Sequence, residues 1–293
     1  MQVILHIGAQ CTDEDRLLKG LLRNAGEFHR EGIAVPGPSR YRMLLSEAIG
    51  ALGAEDPAPE AREVLLDAIL SEDPGQVTRL ILSHETLLSV PKLALEGGTL
   101  YRKAERRLKA IARLFEGDDL QIFLGLRDFA TWLPAMLRAT PHQTLESFLS
   151  GADPMQLRWS DLVMRLRRDL PDVPITLWCN EDTPLLWGKI LREAAGIEPE
   201  RKITGSFDIF SELVSPEAMQ RFRGFLRENP TVSEAQKRRV MTAFLEKYAL
   251  PGAMEEELDM PGWDEAYVDM LTGLYDEDLW QLAQMDGVRV LTP

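Results

Sequence analysis

The chain has 293 residues, of which 45% are hydrophobic and 27% are charged, the proportions of a globular protein rather than a disordered or fibrous one. Its 47 acidic residues outnumber its 33 basic residues and give a formal net charge of -14. Because such a field repels phosphate backbones and anionic lipid surfaces, we expect neither nucleic acid nor a membrane as a partner. A small anionic ligand would need a local group of donors to oppose that field.

The N-terminal residues and the cysteines are used to predict the cellular compartment. Cys11 and Cys179 carry neither a disulfide framework nor a paired metal-ligand spacing. The chain enters a strand-like run at once, without a basic region or an apolar stretch of signal length. Since no apolar run approaches the roughly 20 residues of a membrane-spanning helix, we predict a cytoplasmic protein.

Short apolar runs rich in β-branched residues alternate with longer helical patterns along the chain, which predicts parallel strands joined by crossover helices. Strands are expected at 3–7, 33–35, 78–83, 120–126 and 175–179. The predicted fold class is therefore α/β, with a mostly parallel sheet flanked by helices. We expect a single domain over 1–293.

The helical patterns follow in chain order. Helices are expected at 13–31, 41–52, 59–70 and 100–115. The second and third are separated by a stretch at 53–59 that is rich in helix-breaking residues, and together they form a helical insertion over 40–75 within the domain. The basic amphipathic helix at 100–115 is either a solvated cover of the sheet or an anion-facing patch, and charge runs favour the first. After Cys179 the pattern is helical, without a strand, at 184–195, 216–228, 233–248, 263–271 and 276–283. A helical C-terminal part is therefore predicted over 205–293.

A candidate phosphate loop follows the first strand. The segment 6–12, HIGAQCT, passes directly into a helix, the setting in which backbone N–H groups cradle a phosphate. It resembles the loop that binds the sulfate donor PAPS (3′-phosphoadenosine 5′-phosphosulfate) in bacterial sulfotransferase-like proteins, H-I-G-x-x-K-T-G-T-T. His6, Ile7, Gly8 and Thr12 match that pattern. The resemblance implies a P-loop nucleotide-binding fold, with cofactor contacts from Gly8, Ala9, Gln10 and Thr12.

Two later strand ends extend the resemblance over most of the chain. The segment 80–85, LILSHE, resembles the family's strand that ends in a serine-rich turn and Glu. The segment 124–127, LGLR, resembles the strand whose terminal Arg contacts the ribose-side phosphate of the nucleotide. The resemblance therefore implies a nucleotide contact from Arg127.

The implied reaction is sulfuryl transfer from PAPS to a hydroxyl on a small molecule or glycan. Such a transfer needs a general base to take the hydroxyl proton. His84 and Glu85 are the candidates, because they lie just past a strand at the edge where open parallel sheets bind ligands. The alternative is that Glu85 caps a helix beginning near Thr86 and that His84 is a surface histidine. Arg127 can equally pair with a neighbouring acid.

The chain departs from the family pattern where the donor's charge is bound. Cys11 stands where the family has Lys, and the acidic run 13–15 replaces a glycine and two hydroxyl residues. Ala135 stands eight residues after Arg127, where the family has a serine. Carboxylates in a first helical turn satisfy its free N–H groups and repel a phosphosulfate.

Local structure alone also explains this loop, since Thr12 with Asp15 resembles a capping box. The neighbouring acids oppose a reactive thiolate, so Cys11 is interpreted as a packing residue. Two functions therefore stay open. One is a PAPS-dependent sulfotransferase, and the other is a non-catalytic sulfotransferase-fold binding or interaction protein that has lost donor binding.

A further acidic pair follows the strand at 175–179. Glu181 and Asp182 are adjacent carboxylates without other placed ligands, which is far short of a metal signature. Capping by Asp182 or Thr183 ahead of Pro184 is the preferred interpretation. We predict no metal, and the oligomeric state is left open.

Overall fold

The computed structural model describes residues 1–52, 57–71, 73–254, 258 and 260–293. Within those residues one sheet has six strands, which are β1 Gln2–His6, β2 Ile33–Ala34, β3 Arg79–Ser83, β4 Asp119–Leu126, β5 Ile175–Cys179 and β6 Val288–Leu291. Their order in the sheet is β2-β3-β1-β4-β5-β6, and every neighbouring pair is parallel. The predicted α/β class, with a parallel sheet, flanking helices and a helical C-terminal part, is confirmed.

The helices cover both faces of the sheet and build the C-terminal part. They are α1 Arg16–Leu22, α2 Ala25–His29, α3 Pro38–Leu52, α4 Ala61–Ile69, α5 Ala104–Leu114, α6 Phe129–Arg138, α7 Leu145–Leu149, α8 Trp159–Asp169, α9 Thr183–Ala195, α10 Asp208–Leu213, α11 Pro216–Glu228, α12 Glu234–Tyr248 and α13 Glu265–Leu282. None of the helices in the described part of the chain has the length and apolarity needed to cross a bilayer.

Alternation along the central strand divides the core between two faces. Val3 and Leu5 of β1 point into a large core that includes side chains of α3, α5, α6 and α8. Ile4 points the other way and packs with Leu17 of α1 and Trp187 of α9. A third, smaller cluster joins α10, α11 and α12. α10, α11 and α12 therefore share a core of their own beside α9, whereas α13 packs into the large core through Tyr275 and Leu282.

Three sequence predictions about elements are wrong. The helix expected at 13–31 is divided into α1 and α2. The division lies at buried Asn24, whose side-chain amide donates to the carbonyl oxygens of Gly20 at 2.8 Å and Thr204 at 3.0 Å. The helices expected at 263–271 and 276–283 form the single α13, because buried Leu271 and Tyr275 hold the helix together on either side of Gly273. A mid-helix glycine costs only about 1 kcal/mol.

The third error concerns the tail, where no strand was expected. Val288–Leu291 pairs with β5, with Val288 opposite Ile175. The tail is short and carries an exposed arginine, so its sequence pattern is weak, and its partner strand supplies the missing signal. The predicted breaker-rich stretch at 53–59 lies partly outside the described residues, which omit 53–56.

The strand order determines where polar groups from distant segments meet. From β1 the chain first builds β2 and β3 on one side and then crosses to β4 on the other side of β1. In open parallel sheets, ligands bind outside the carboxyl ends of the strands at such a reversal of direction. The segments that follow β1, β3 and β4 therefore meet at one edge.

Candidate functional site at the carboxyl edge of the sheet

The structure brings together the predicted site residues from three strand ends. A Cβ built on Gly8 would lie 3.2 Å from the carbonyl oxygen of Glu85, which measures how closely the first loop approaches the end of β3. From β4, Nη1 of Arg127 donates to the carbonyl oxygen of Cys11 at 2.6 Å. We call the group formed by segments 6–15, 83–86 and 126–128 the edge site.

The first part of the loop continues the sheet instead of leaving it. The amide of Ala9 donates to the carbonyl oxygen of Gly125 at 2.9 Å, and the amide of Gly125 donates to the carbonyl oxygen of Gly8 at 2.8 Å. Gly8 has φ 109°, a conformation that side-chain-bearing residues rarely adopt. The Ala9 amide, an expected cofactor contact, is therefore used by β4.

Gln10 fastens the loop to the interior. Its side chain is 2% exposed; the amide nitrogen donates to the carbonyl oxygen of Ser89 at 2.7 Å, and the amide oxygen accepts from the Tyr101 hydroxyl. Its backbone carbonyl accepts from the indole of Trp132 at 3.0 Å. Buried polar groups that are satisfied in this way hold one conformation. Gln10 is thus placed as an interior anchor.

The capping box expected from Thr12 and Asp15 is wrong. The hydroxyl of Thr12 donates to the carbonyl oxygen of Ala9 at 2.6 Å, and Asp15 makes no capping bond to α1. Glu14 and Asp15 have φ 49° and 63°, so the chain turns there and the helix begins at Arg16. Asp13 serves instead, since its carboxylate accepts from the amide of Leu17 at 3.0 Å.

Asp15 is bound by Arg42 of α3. Nη1 of Arg42 donates to Oδ2 of Asp15 at 2.9 Å and Nη2 donates to Oδ1, while Nε donates to the carbonyl oxygen of Ser83 at 3.0 Å. The hydrogen bond from Arg42 lowers the pKa of the Asp15 carboxyl below its usual value. Two-pronged binding of this kind suits phosphates as well as carboxylates. Sequence reasoning missed Arg42, because no local motif marks it.

Arg127 and Cys11 also act within the protein. Nε of Arg127 donates to the Thr131 hydroxyl at 2.9 Å, in addition to the bond from Nη1 to Cys11. The Cys11 thiol lies 3.6 Å from the sulfur of Met136, and burial raises the pKa of that thiol. Cys11 is therefore a neutral, packed side chain at the position where the resembling family has a cation.

The two candidate bases differ in surroundings. His84 is 6% exposed, and its ring nitrogens lie 3.3 Å from the hydroxyls of Ser46 and Thr86. Burial, with the nearby charge of Arg42, lowers its pKa to about 4. Glu85 is half-buried, and burial, with the charges of Asp13 and Asp15, raises its pKa. Glu85 is accordingly the better proton acceptor.

Both alternative roles considered for these residues are wrong. The amide of Leu87 donates to the carbonyl oxygen of His84 at 3.0 Å, so 84–87 is a turn and the chain does not start a helix at Thr86 that Glu85 could cap. His84 is buried rather than on the surface. Arg42 and Ser46 of α3 hydrogen-bond the Ser83 carbonyl oxygen and the His84 ring, so α3 covers this strand end.

His6 is the most deeply buried polar residue of segment 6–15 of the edge site. Nδ1 is 2.9 Å from the hydroxyl of Ser83, and the ring stacks on Trp178 with a centroid separation of 5.6 Å. Burial lowers its pKa. Although His6 matches the resembling pattern, it belongs to the core.

The acidic pair after β5 ties the sheet to α6 and α13. Oε1 of Glu181 accepts from the amide of Asp128 at 3.0 Å, and Oε2 accepts from the Tyr275 hydroxyl at 3.2 Å. Burial raises the pKa of Glu181.

The capping prediction for α9 is wrong. Neither Asp182 nor Thr183 caps α9 with its side chain, and the Thr183 hydroxyl donates to the carbonyl oxygen of Asn180 instead. Across the residues that the structure describes, no cluster of three or more His, Cys, Asp or Glu side chains could hold a metal ion.

Comparison with known proteins leaves the function to be argued from the fold and the site. No protein-family model matches the chain, and neither a curated protein nor a solved structure is similar to it. The resemblance to sulfotransferase-like proteins therefore stays a prediction from three short segments. The structure defines an α/β protein with a parallel sheet whose candidate site lies at its carboxyl edge.

Proposed function

We propose that the chain is a non-catalytic binding or interaction protein on a sulfotransferase-like fold, in which the protein's own side chains take the place of the sulfate donor. The ion pair between Arg42 and Asp15 carries this proposal. Arg42 lies beside the loop, and both of its terminal nitrogens are bound to one internal carboxylate. Asp15 supplies the two oxygens that a phosphate would otherwise supply to that guanidinium.

The rest of the loop does not fit a phosphosulfate either. Cys11 brings no cation, the Ala9 amide is bonded within the sheet, and Gln10 is buried. Asp13, Glu14 and Asp15 surround the start of α1 with negative charge. Each like charge at about 4 Å costs an anion about 1 kcal/mol even in water. The edge site therefore opposes donor binding.

Hydrogen exchange measured by mass spectrometry tests the proposal at the loop itself. The protein is incubated with millimolar adenosine 3′,5′-bisphosphate, the product nucleotide of the resembling family, and exchange is followed in peptides that cover 7–16. Adenosine without phosphates is the matched ligand control. We expect the same exchange with both compounds. Slower exchange at 7–16 with the bisphosphate alone would overturn the proposal.

Sulfuryl transfer from PAPS to a hydroxyl acceptor is the second candidate, and Glu85 favours it. This carboxylate is half-buried at the edge beside Gly8 and has a raised pKa, which suits a group that accepts a hydroxyl proton. The test is release of the bisphosphate from PAPS in the presence of phenolic and sugar acceptors. Release by the wild type and its loss in Glu85→Gln would support transfer and rule out the non-catalytic role.

A further inference from the structure

A cavity of about 550 Å³ lies among α9, α11, α12 and the segment 200–207. It shares no residue with the edge site. Seven of its lining side chains are basic and two are acidic, although the chain as a whole carries a net charge of -14. Positive charge is therefore concentrated locally, against the overall field.

The acidic side chains of the lining do not balance this charge. Glu234 accepts from Arg192 at 2.6 Å and from Lys237 at 2.6 Å, so one carboxylate serves two cations. Arg201 is balanced by Glu31, which is not part of the lining. Among the residues that the structure describes, the other basic side chains of the lining make no ion pair; they are Lys189, Lys202, Arg227 and Arg238.

Two arginines of the lining hold buried donors without acceptors. Nε of Arg192 and Nε of Arg238 are both buried and have no hydrogen-bond partner. Within the described part of the chain Arg238 also makes no ion pair. Such donors cost free energy unless an acceptor is supplied. Burial and the charge of Arg238 together lower the pKa of neighbouring Lys189, which agrees with uncompensated positive charge.

The remaining lining is apolar, with Phe207, Leu226 and Met241 among its members. The volume falls in the range of about 300 to 1,000 Å³ that small-molecule sites occupy. Guanidinium groups match phosphate oxygens in geometry, and a phosphate monoester carries close to two negative charges at neutral pH. An aromatic or aliphatic body would contact the apolar wall.

We infer that this cavity binds a phosphate monoester with an apolar body, and that Arg238 and Lys202 contribute to holding the phosphate. The inference does not depend on the proposed function, because the cavity and the edge site have no residue in common. It also supplies a ligand class for a protein whose sheet edge is filled by its own groups.

Isothermal titration with phenyl phosphate tests the inference on the full chain. Arg238→Gln is compared with Arg239→Gln, which makes the same charge change at an exposed position of α12 outside the lining. We expect wild type and Arg239→Gln to bind alike, and Arg238→Gln to bind about tenfold more weakly, the loss expected for one charge-assisted hydrogen bond. Equal affinity in the two variants, or no saturable binding by the wild type, would overturn the inference.

Two further arms make the result specific. Lys202→Gln, at an exposed and therefore substitutable position, should also weaken phenyl phosphate binding, which keeps the test decisive if Arg238→Gln fails to fold. Inorganic phosphate should bind more weakly than phenyl phosphate. Equal affinity for the two compounds would refute the apolar body, and unchanged binding in Lys202→Gln would refute its role in holding the phosphate.

Discussion

Arginine side chains lie both at the edge site and in the cavity among α9, α11 and α12, which we call the basic cavity. The two places differ in whether the guanidinium donors have acceptors. At the edge, Arg42 binds Asp15 and Arg127 binds the carbonyl oxygen of Cys11. In the cavity, Arg238 has a buried Nε without a partner. The edge is the place where parallel sheets usually bind ligands, yet the arginine donors without acceptors lie in the cavity. Charge balance, more than position in the fold, therefore indicates where an anion can bind.

The pH dependence of stability tests how completely water is excluded from the edge site. His84 has a pKa of about 4 when folded, against 6.5 in an open chain, so between these values the unfolded chain holds more protons. The contribution of His84 is complete above pH 6.5 and is lost as pH falls toward 4, by about 3 kcal/mol. The lowered pKa of His6 adds in the same direction.

Urea unfolding at several pH values measures this effect. His84→Gln should lose the part of the slope between pH 6.5 and 4 that His84 contributes. The control is Gln220→Ala, at an exposed position without a titratable group, which should keep the wild-type slope. Groups that titrate in all three proteins, including Glu85, cancel in the difference. An identical slope in His84→Gln would mean that the edge is open to water.

The anchoring of the loop is the next effect in size. Gln10→Ala would leave the Tyr101 hydroxyl and the Ser89 carbonyl without their partners inside the protein. Because a buried unsatisfied group costs about 1 to 3 kcal/mol, we expect a loss of about 2 kcal/mol in urea unfolding. Gln220→Ala, at an exposed site in α11, should change stability by less than about 0.5 kcal/mol. Equal effects would show that the loop is not fixed from within.

The smallest effect on stability, and the sharpest test of the comparison, is Asp15→Asn. The side chains of Arg42 and Asp15 are 24% and 30% exposed, so loss of their ion pair should cost about 1 kcal/mol or less. Arg42 then lacks its carboxylate, and we expect binding of the bisphosphate to become detectable at the edge, with the affinity raised about tenfold by one charge-assisted contact. Titration calorimetry in an Arg238→Gln, Lys202→Gln background weakens the contribution of the cavity, and hydrogen exchange in peptides that cover 7–16 assigns the remaining binding to the edge.

Glu212→Gln is the matched control for that experiment, since it breaks the exposed pair between Glu212 and Arg16 and leaves the loop unchanged. If Asp15→Asn and Glu212→Gln give the same affinity, the ion pair at Asp15 does not block the edge.

Much of the fold could be predicted because each central strand is a short apolar run between breakers, as at 120–126. β6 could not, since Val288–Leu291 is a short edge strand whose one neighbouring strand is β5. α13 was divided in the prediction because Gly273 suggested a break, and the burial of Leu271 and Tyr275 outweighs that local preference.

For the candidate site, the sequence predicted that three strand ends meet, but not how their side chains pair. Strand ends that carry Gly8, Glu85 and Arg127 must meet if the sheet is parallel, and they do. The partners that decide the chemistry are far apart in sequence: Gln10 and Tyr101 are separated by 91 positions. No local pattern shows such pairs. The basic cavity was missed for the same reason, because its lining comes from three helices and a connecting segment.

Hydrogen exchange in peptides that cover 7–16, measured on the Arg238→Gln, Lys202→Gln protein with adenosine 3′,5′-bisphosphate, tests the central claim most directly. The two substitutions weaken the cavity and leave the edge site unchanged, and the exchange at 7–16 reports on the edge itself. We predict no change in exchange at 7–16 up to millimolar ligand. Saturable slowing of exchange at 7–16 would contradict the account, because the edge would then accept the nucleotide in spite of Asp15.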